Sequence, residues 1–128
     1  MDKKTLVNID IEEGKKVLEA LDDSNLSISS AFWFFLDDIE EWRLFFVAPD
    51  FDLVGPKKLY SKVQKILQDH KNEINIPLEA ISLISPKDQL IGILKMAITT
   101  GPGISGIRFS GNDINGVLIK DAYIYRVN

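Results

Sequence analysis

Two arginines stand inside apolar runs, Arg43 in EWRLF and Arg108 in GIRFS. A guanidinium carries its charge at any ordinary pH, so in such a run it must be paired or face a cavity. A structural ion pair, with Asp121 or Glu41, is one reading. An anion or partner site is the sharper one. The run Gly101-Pro102-Gly103-Ile104-Ser105-Gly106 lies just before Arg108, and successive N–H groups of a glycine loop can cradle an anion. Arg43, Gly103, Ser105, Gly106 and Arg108 are therefore the candidate anion or partner-binding residues. The same glycines spell the dinucleotide fingerprint GxGxxG, which needs a strand before it and a helix after it. Here a helix precedes and a strand follows, so a helix stop and a tight turn account for them.

Other chemistry-bearing residues form no working set. His70 is the only histidine and there is no cysteine, which excludes a thiolate metal site, a disulfide and a cysteine nucleophile. No G-x-S-x-G elbow accompanies His70. Asp50-x-Asp52-x-Val54-Gly55 starts like a calcium loop, but Val54 and Ser61 stand where ligands are needed. Pro49–Asp50 with Asp69-His70-Lys71 fits the loose PD…DxK pattern of metal-dependent nucleases, yet Asp69 and Lys71 fall at the end of a helix instead of on a strand. Asp37, Asp38, Glu40 and Glu41 sit at a hairpin tip, too wet to separate their pKa values for acid–base work. No catalytic residue, metal ligand or cofactor is assigned.

The elements that would position these residues are organised around AFWFFLDDIEEWRLFFVA, Ala31 to Ala48. Aromatic residues and valine suit a pleated surface, so Ala31–Leu36 and Trp42–Ala48 read as the strands of a hairpin around the acidic tip. Pairing Leu36 with Trp42, Phe34 with Leu44 and Phe32 with Phe46 keeps Arg43 out of the drier layer. Both faces are apolar, so both require cover.

Before the hairpin, Thr5–Ile11 is an edge strand or a lead-in. A helix over Ile11 to Leu21 follows, with Asp10 and Glu13 at capping-box spacing. After it, Pro56 opens a helix striped by Leu59, Tyr60, Val63, Ile66 and Leu67. Ala80–Ile84 is a buried strand. Ser85 and Pro86 start a third helix, which Gly101–Pro102 ends. Ile104–Ser110 and Val117–Arg126 form the last hairpin. Asn115–Gly116 is its better turn signal, and a phase slip near Lys120–Asp121 reads as a bulge. The expected core comprises Phe32, Phe34, Leu44, Phe46, Leu59, Val63, Leu67, Leu94, Ile98, Ile107, Phe109 and Ile124.

The chain has 128 residues, 45% of them hydrophobic and 27% charged, which suits one globular domain over 1–128. Its net charge of −4 argues against general nucleic-acid binding. Lys57, Lys58, Lys62 and Lys65 read as a solvated helix face. The N-terminus has no apolar signal core, and no window approaches a membrane span. With no cysteine, the expected location is the cytoplasm.

The runs AFWFFLDDIEEWRLFFVAPDFDLVGPKKLY and TTGPGISGIRFSGNDINGVLIKDAYIYRV resemble a small bacterial family, a domain of unknown function with no established activity. The resemblance spans about residue 28 to the end. It implies a bacterial origin and transfers no catalytic residue.

The expected fold is a single α+β domain in the order α-β-β-α-β-α-β-β. A mainly antiparallel sheet with two hairpins is packed by about three helices. The expected function is a non-catalytic protein-interaction or accessory module, acting through a protein partner or as a homodimer, with neither nucleic acid nor membrane as partner. The alternative is a small-molecule or anion-binding enzyme with a pocket near Arg43, Gly103–Gly106 and Arg108. A weaker alternative is a metal-dependent nuclease-like protein.

Overall fold

In the computed structural model, which describes residues 5–128, the chain is an α+β domain in the expected order. Helix α1 (Asn8–Asp23) precedes the hairpin of β1 (Ser30–Leu36) and β2 (Glu41–Val47). A one-turn helix α2 (Phe51–Val54), absent from the sequence reading, leads into α3 (Pro56–Asp69). Strand β3 (Ile81–Ile84) and helix α4 (Gln89–Ala97) follow. The hairpin of β4 (Ile107–Ile114) and β5 (Val117–Val127) closes the chain. The five strands lie in the order β3-β2-β1-β5-β4. Only β2 and β3 run parallel, as their long connection through α3 permits.

The first hairpin is dry on both sides, with Trp33 1% and Phe45 8% exposed. Its register is one residue from the sequence pairing. Leu36 meets Glu41, Phe34 meets Arg43 and Phe32 meets Phe45. The connection is a four-residue turn in which Glu40 adopts φ +51°. The register gathers Trp33, Trp42, Leu44 and Phe46 under α1 and α3. It leaves Phe32, Phe34, Phe45 and Val47 facing α4. Arg43 falls on the phenylalanine face after all. Its length resolves the conflict, because the guanidinium reaches polar groups at the β3 edge.

Helix α1 begins three residues earlier than the sequence suggests. The Val7 N–H donates to Asp10 Oδ2 at 3.0 Å, so Asp10 reaches back from inside the helix instead of preceding it. Gly14, which weakens a helix in isolation, is where α1 seats on the sheet. A Cβ there would fall on Tyr125 Oη and Trp33 Nε1. Trp33 Nε1 donates to Tyr125 Oη at 3.0 Å, and Tyr125 Oη donates to the Ile11 carbonyl at 2.6 Å. Burial pushes the Tyr125 phenol well above its ordinary value, against the opposing effect of the Trp33 hydrogen bond.

Helix α4 is capped by Asp88, which accepts from the Leu90 N–H at 2.9 Å, and not by Ser85. Ser85 instead shapes the preceding turn and donates to Asp52 at 2.8 Å. The helix stops at Ala97, before Gly101–Pro102. Ile98 is already extended, and Thr100 exchanges hydrogen bonds with Val127. A β-branched run preferring extended backbone gains those bonds by leaving the helix.

Asn115–Gly116 forms the second turn, with φ of +50° and +80°. The phase slip near Lys120 is real, since Ile119, Ala122 and Ile124 all join the phenylalanine face. No residue is inserted in β4–β5, however: Ser110 pairs Asp121 and Asn112 pairs Ile119 in one unbroken register. Both strands turn over together where Gly111 adopts φ +66°. The true register shift lies between β1 and β5, where Tyr125 is the extra residue between the Ala31–Arg126 and Phe32–Ile124 pairs.

Candidate functional site

The structure does not bring the two candidate arginines together. Arg43 lies on the phenylalanine face. Its Nε donates to Ser82 Oγ at 2.9 Å and its Nη2 to the Glu79 carbonyl at 2.8 Å. It thereby pins the turn before β3, and Glu41 is not its partner. Arg108 lies on the tryptophan face, opposite Tyr123. It donates twice to Asp121, at 2.7 and 2.6 Å, which is one of the two ion pairs the sequence offered. Bonding to Asp121 raises the Arg108 pKa further, with burial opposing. The guanidinium also lies 5.5 Å from the Trp42 ring centre.

The glycine loop serves the sheet. The Ser105 N–H donates to the Tyr125 carbonyl at 2.6 Å. Gly106 lies against the Tyr123 ring, and a side chain there would meet its hydroxyl. The Gly103 carbonyl accepts from Arg126 Nε at 3.1 Å. No pocket is common to Arg43, Gly103–Gly106 and Arg108, because the arginines occupy opposite faces.

The arginine at the glycine loop is Arg126, which sequence reasoning missed. It is 5% exposed. Its Nη1 and Nη2 grip Asp22 at 3.1 and 2.8 Å, and Nη1 also donates to the Ile28 carbonyl at 2.9 Å. Together these bonds clamp the end of α1 to the end of β5 on the floor of a groove of about 500 Å³. The signal was available: Arg126 interrupts YIYRV as Arg108 interrupts GIRFS.

A second groove, of about 490 Å³, lies between the outer end of the first hairpin and the middle of the β4–β5 hairpin. Its floor is Phe35 and Trp42, packed edge to face at 5.6 Å. Lys120 Nζ stands 5.4 Å from the Phe35 ring centre and bonds Asp37 at 3.2 Å.

Asp50 immediately precedes α2, and Asp69 is the last residue of the 14-residue α3. A helix of that length spans about 20 Å, and the nuclease triad does not assemble. Among the described residues no group of three His, Asp or Glu side chains converges as a metal ion would require. His70 Nδ1 lies 2.9 Å from the Ile66 carbonyl at the end of α3.

Exposed large apolar side chains include Val7, Ile9, Ile39 and Leu53 at separate places, and three more at α4 and the last hairpin. Met96 on α4 is 60% exposed and Val117 on the adjoining hairpin 38%; Leu118, 59% exposed, points to the opposite face of that hairpin. Asn115 Nδ2 contacts Met96 Sδ at 3.5 Å, holding the turn beside the helix. Ile107, Phe109 and Ile114 on β4 are only partly covered. Among the described residues strand β4 ends the sheet with no strand on its outer side. At the opposite edge the Leu83 N–H of β3 donates to Tyr60 Oη at 2.9 Å.

No helix among the described residues is long and apolar enough to cross a membrane. Comparison of the chain with protein-family models, with curated proteins and with solved structures finds no match in any of the three.

Proposed function

We propose that the protein is a cytoplasmic, non-catalytic interaction module that self-associates through the corner built by α4 and the β4–β5 hairpin. The observation that carries this reading is the exposure of Met96 and Val117 on the α4 side of the last hairpin, beside the sheet edge of β4. Contiguous apolar surface on a monomer marks an interaction site. A patch made of apolar side chains is complementary to its own copy, as a two-fold interface requires. An unpaired edge strand adds a row of backbone donors and acceptors to that surface.

Light scattering across a wide concentration range tests it. The expected result is a dimer that Val117→Lys together with Met96→Lys converts to monomer while the circular dichroism spectrum is retained. A monomer at every concentration removes the self-association reading.

A further inference from the structure

Strand β4 reads IRFSGNDI, with neither lysine nor proline to discourage pairing at its outer edge. Its two charges are opposite in sign and symmetrically placed: Arg108 is second from the start and Asp113 second from the end. Resting on the self-association reading, we propose that the occupant of this edge is β4 of a second copy. The two strands run antiparallel, Arg108 faces the partner's Asp113, and the two sheets become one. Ile107 then faces the partner's Ile114. Facing opposite charges favour strand pairing, and facing like charges oppose it.

The faces of the strand agree with that register. Ile107, Phe109 and Ile114 pack on the phenylalanine face, and Asn112 joins them opposite buried Ile119. Arg108, Ser110 and Asp113 lie on the tryptophan face, opposite Tyr123, Asp121 and Leu118. In a regular strand, residues an odd number of positions apart lie on opposite faces. Arg108 and Asp113 are such a pair, and they share a face because β4 turns over at Gly111, where φ is +66°. The turnover sits at the centre of the register, where Ser110 meets the partner's Gly111. All eight residues of β4 then face partners on their own side of the sheet. Sliding the copy by one residue sets Asp113 against the partner's Ile107, or Arg108 against the partner's Ile114, across opposite faces.

The backbone is free to pair in this way. The Asn115–Gly116 turn closes on the Ile114–Val117 pair, so the phenylalanine-face residues direct their N–H and C=O groups to β5. Arg108, Ser110 and Asp113 turn theirs outward. A Cβ at Gly111 would meet nothing within 4 Å, which leaves room for a second backbone at the two-fold axis. Val117 lies opposite Ile114, so the partner's Ile107 extends an apolar row beside Met96 across the join.

The chain contains no cysteine, so engineered thiols report the register without background. Strand spacing and rise put Ser110 about 6 Å from its copy, within the disulfide range. Leu118, exposed on the neighbouring strand, would lie three strand spacings from its copy, about 14 Å. Under mild oxidation Ser110→Cys should cross-link at least about tenfold faster than Leu118→Cys, because a thiol held beside its copy has a high effective concentration. Arg108→Asp should weaken the dimer about tenfold in sedimentation equilibrium, since two facing pairs become repulsive. Adding Asp113→Arg to the same chain should recover most of that loss. Within one chain the two positions are about 17 Å apart, so recovery requires a second copy. A dimer in which Ser110→Cys cross-links no faster than Leu118→Cys overturns the β4 register and leaves self-association standing. Charge reversal without recovery does the same. A monomer at every concentration overturns both.

Discussion

The face of the sheet that carries Trp33 and the face that carries Phe32 are both dry, yet they are held by different means. Two helices cover the tryptophan face, and directional bonds fix them to it. Tyr125 joins Trp33 to the Ile11 carbonyl. Glu13 accepts from the Asn75 N–H at 2.9 Å, and Arg126 clamps Asp22. The phenylalanine face has one nine-residue helix over it, anchored by Ile91 and Leu94. Its cohesion is ring on ring: Phe32 stacks on Phe45 at 5.5 Å, and Phe34 meets both edge-on at 6.4 Å. Apolar burial is non-directional, whereas hydrogen bonds specify geometry. The first face therefore fixes how the helices sit. The second keeps apolar surface in surplus, and the surplus emerges at Met96 and Val117.

That difference can be broken most severely at Leu94. Leu94→Ala should cost about 2–5 kcal/mol, the range for a truncated core leucine. Because α4 stands alone on its face, hydrogen exchange should accelerate in α4 and β4 before it does in α1. Urea melts with site-resolved exchange check both parts. Leu18→Ala beneath α1 should instead lower protection throughout the chain.

Gly14→Ala should cost about 1–3 kcal/mol, as overpacking does, although alanine favours a helix. The added methyl must displace Tyr125 Oη or Trp33 Nε1. A shifted Trp33 indole signal alongside the lower urea midpoint would identify the cause. The equivalent change at Gly92 on α4, where nothing lies within 4 Å of the new methyl, should be neutral or stabilising.

A smaller effect separates the faces by pH. The fold favours the neutral Tyr125 phenol. In the unfolded chain a tyrosine ionises near pH 10. Below that pH both states hold the proton and stability does not depend on it. Above it the unfolded chain releases a proton that the folded chain keeps, so stability falls as pH rises toward the folded value. Urea melts from neutral to strongly alkaline pH should show the decline in the wild type. Tyr125→Phe should be less stable at neutral pH and lack that component. The smallest effect is expected at Arg108→Gln: its exposed pair with Asp121 should contribute at most about 1 kcal/mol, measured by a double-mutant cycle with Asp121→Asn.

The element order, both hairpins and the Asn115–Gly116 turn were legible because periodicity and turn chemistry act locally. Phe32, Phe34, Leu44, Phe46, Leu59, Val63, Leu94 and Ile124 are buried as expected. What failed were choices that depend on tertiary partners. The hairpin register was chosen to keep Arg43 away from apolar neighbours, but a long side chain satisfied at the β3 edge removes that penalty. Trp33, on a hairpin face expected to be dry, and Tyr125, which was not placed in the core, are among the most buried residues. Their polar atoms needed each other and the notch at Gly14, and no local pattern shows that. Of the candidate site residues, Arg108 was correctly offered Asp121 as its ion-pair partner. The link between the glycine loop and an arginine was sound in kind but assigned to the wrong arginine, since Arg126 makes it.

The surplus on the phenylalanine face is the central claim, and sedimentation equilibrium of the wild type beside the Met96→Lys, Val117→Lys variant tests it most directly. The account predicts a concentration-dependent dimer for the wild type and a folded monomer for the variant. A wild type that sediments as a monomer throughout, or a variant that dimerises as strongly as the wild type, would contradict it.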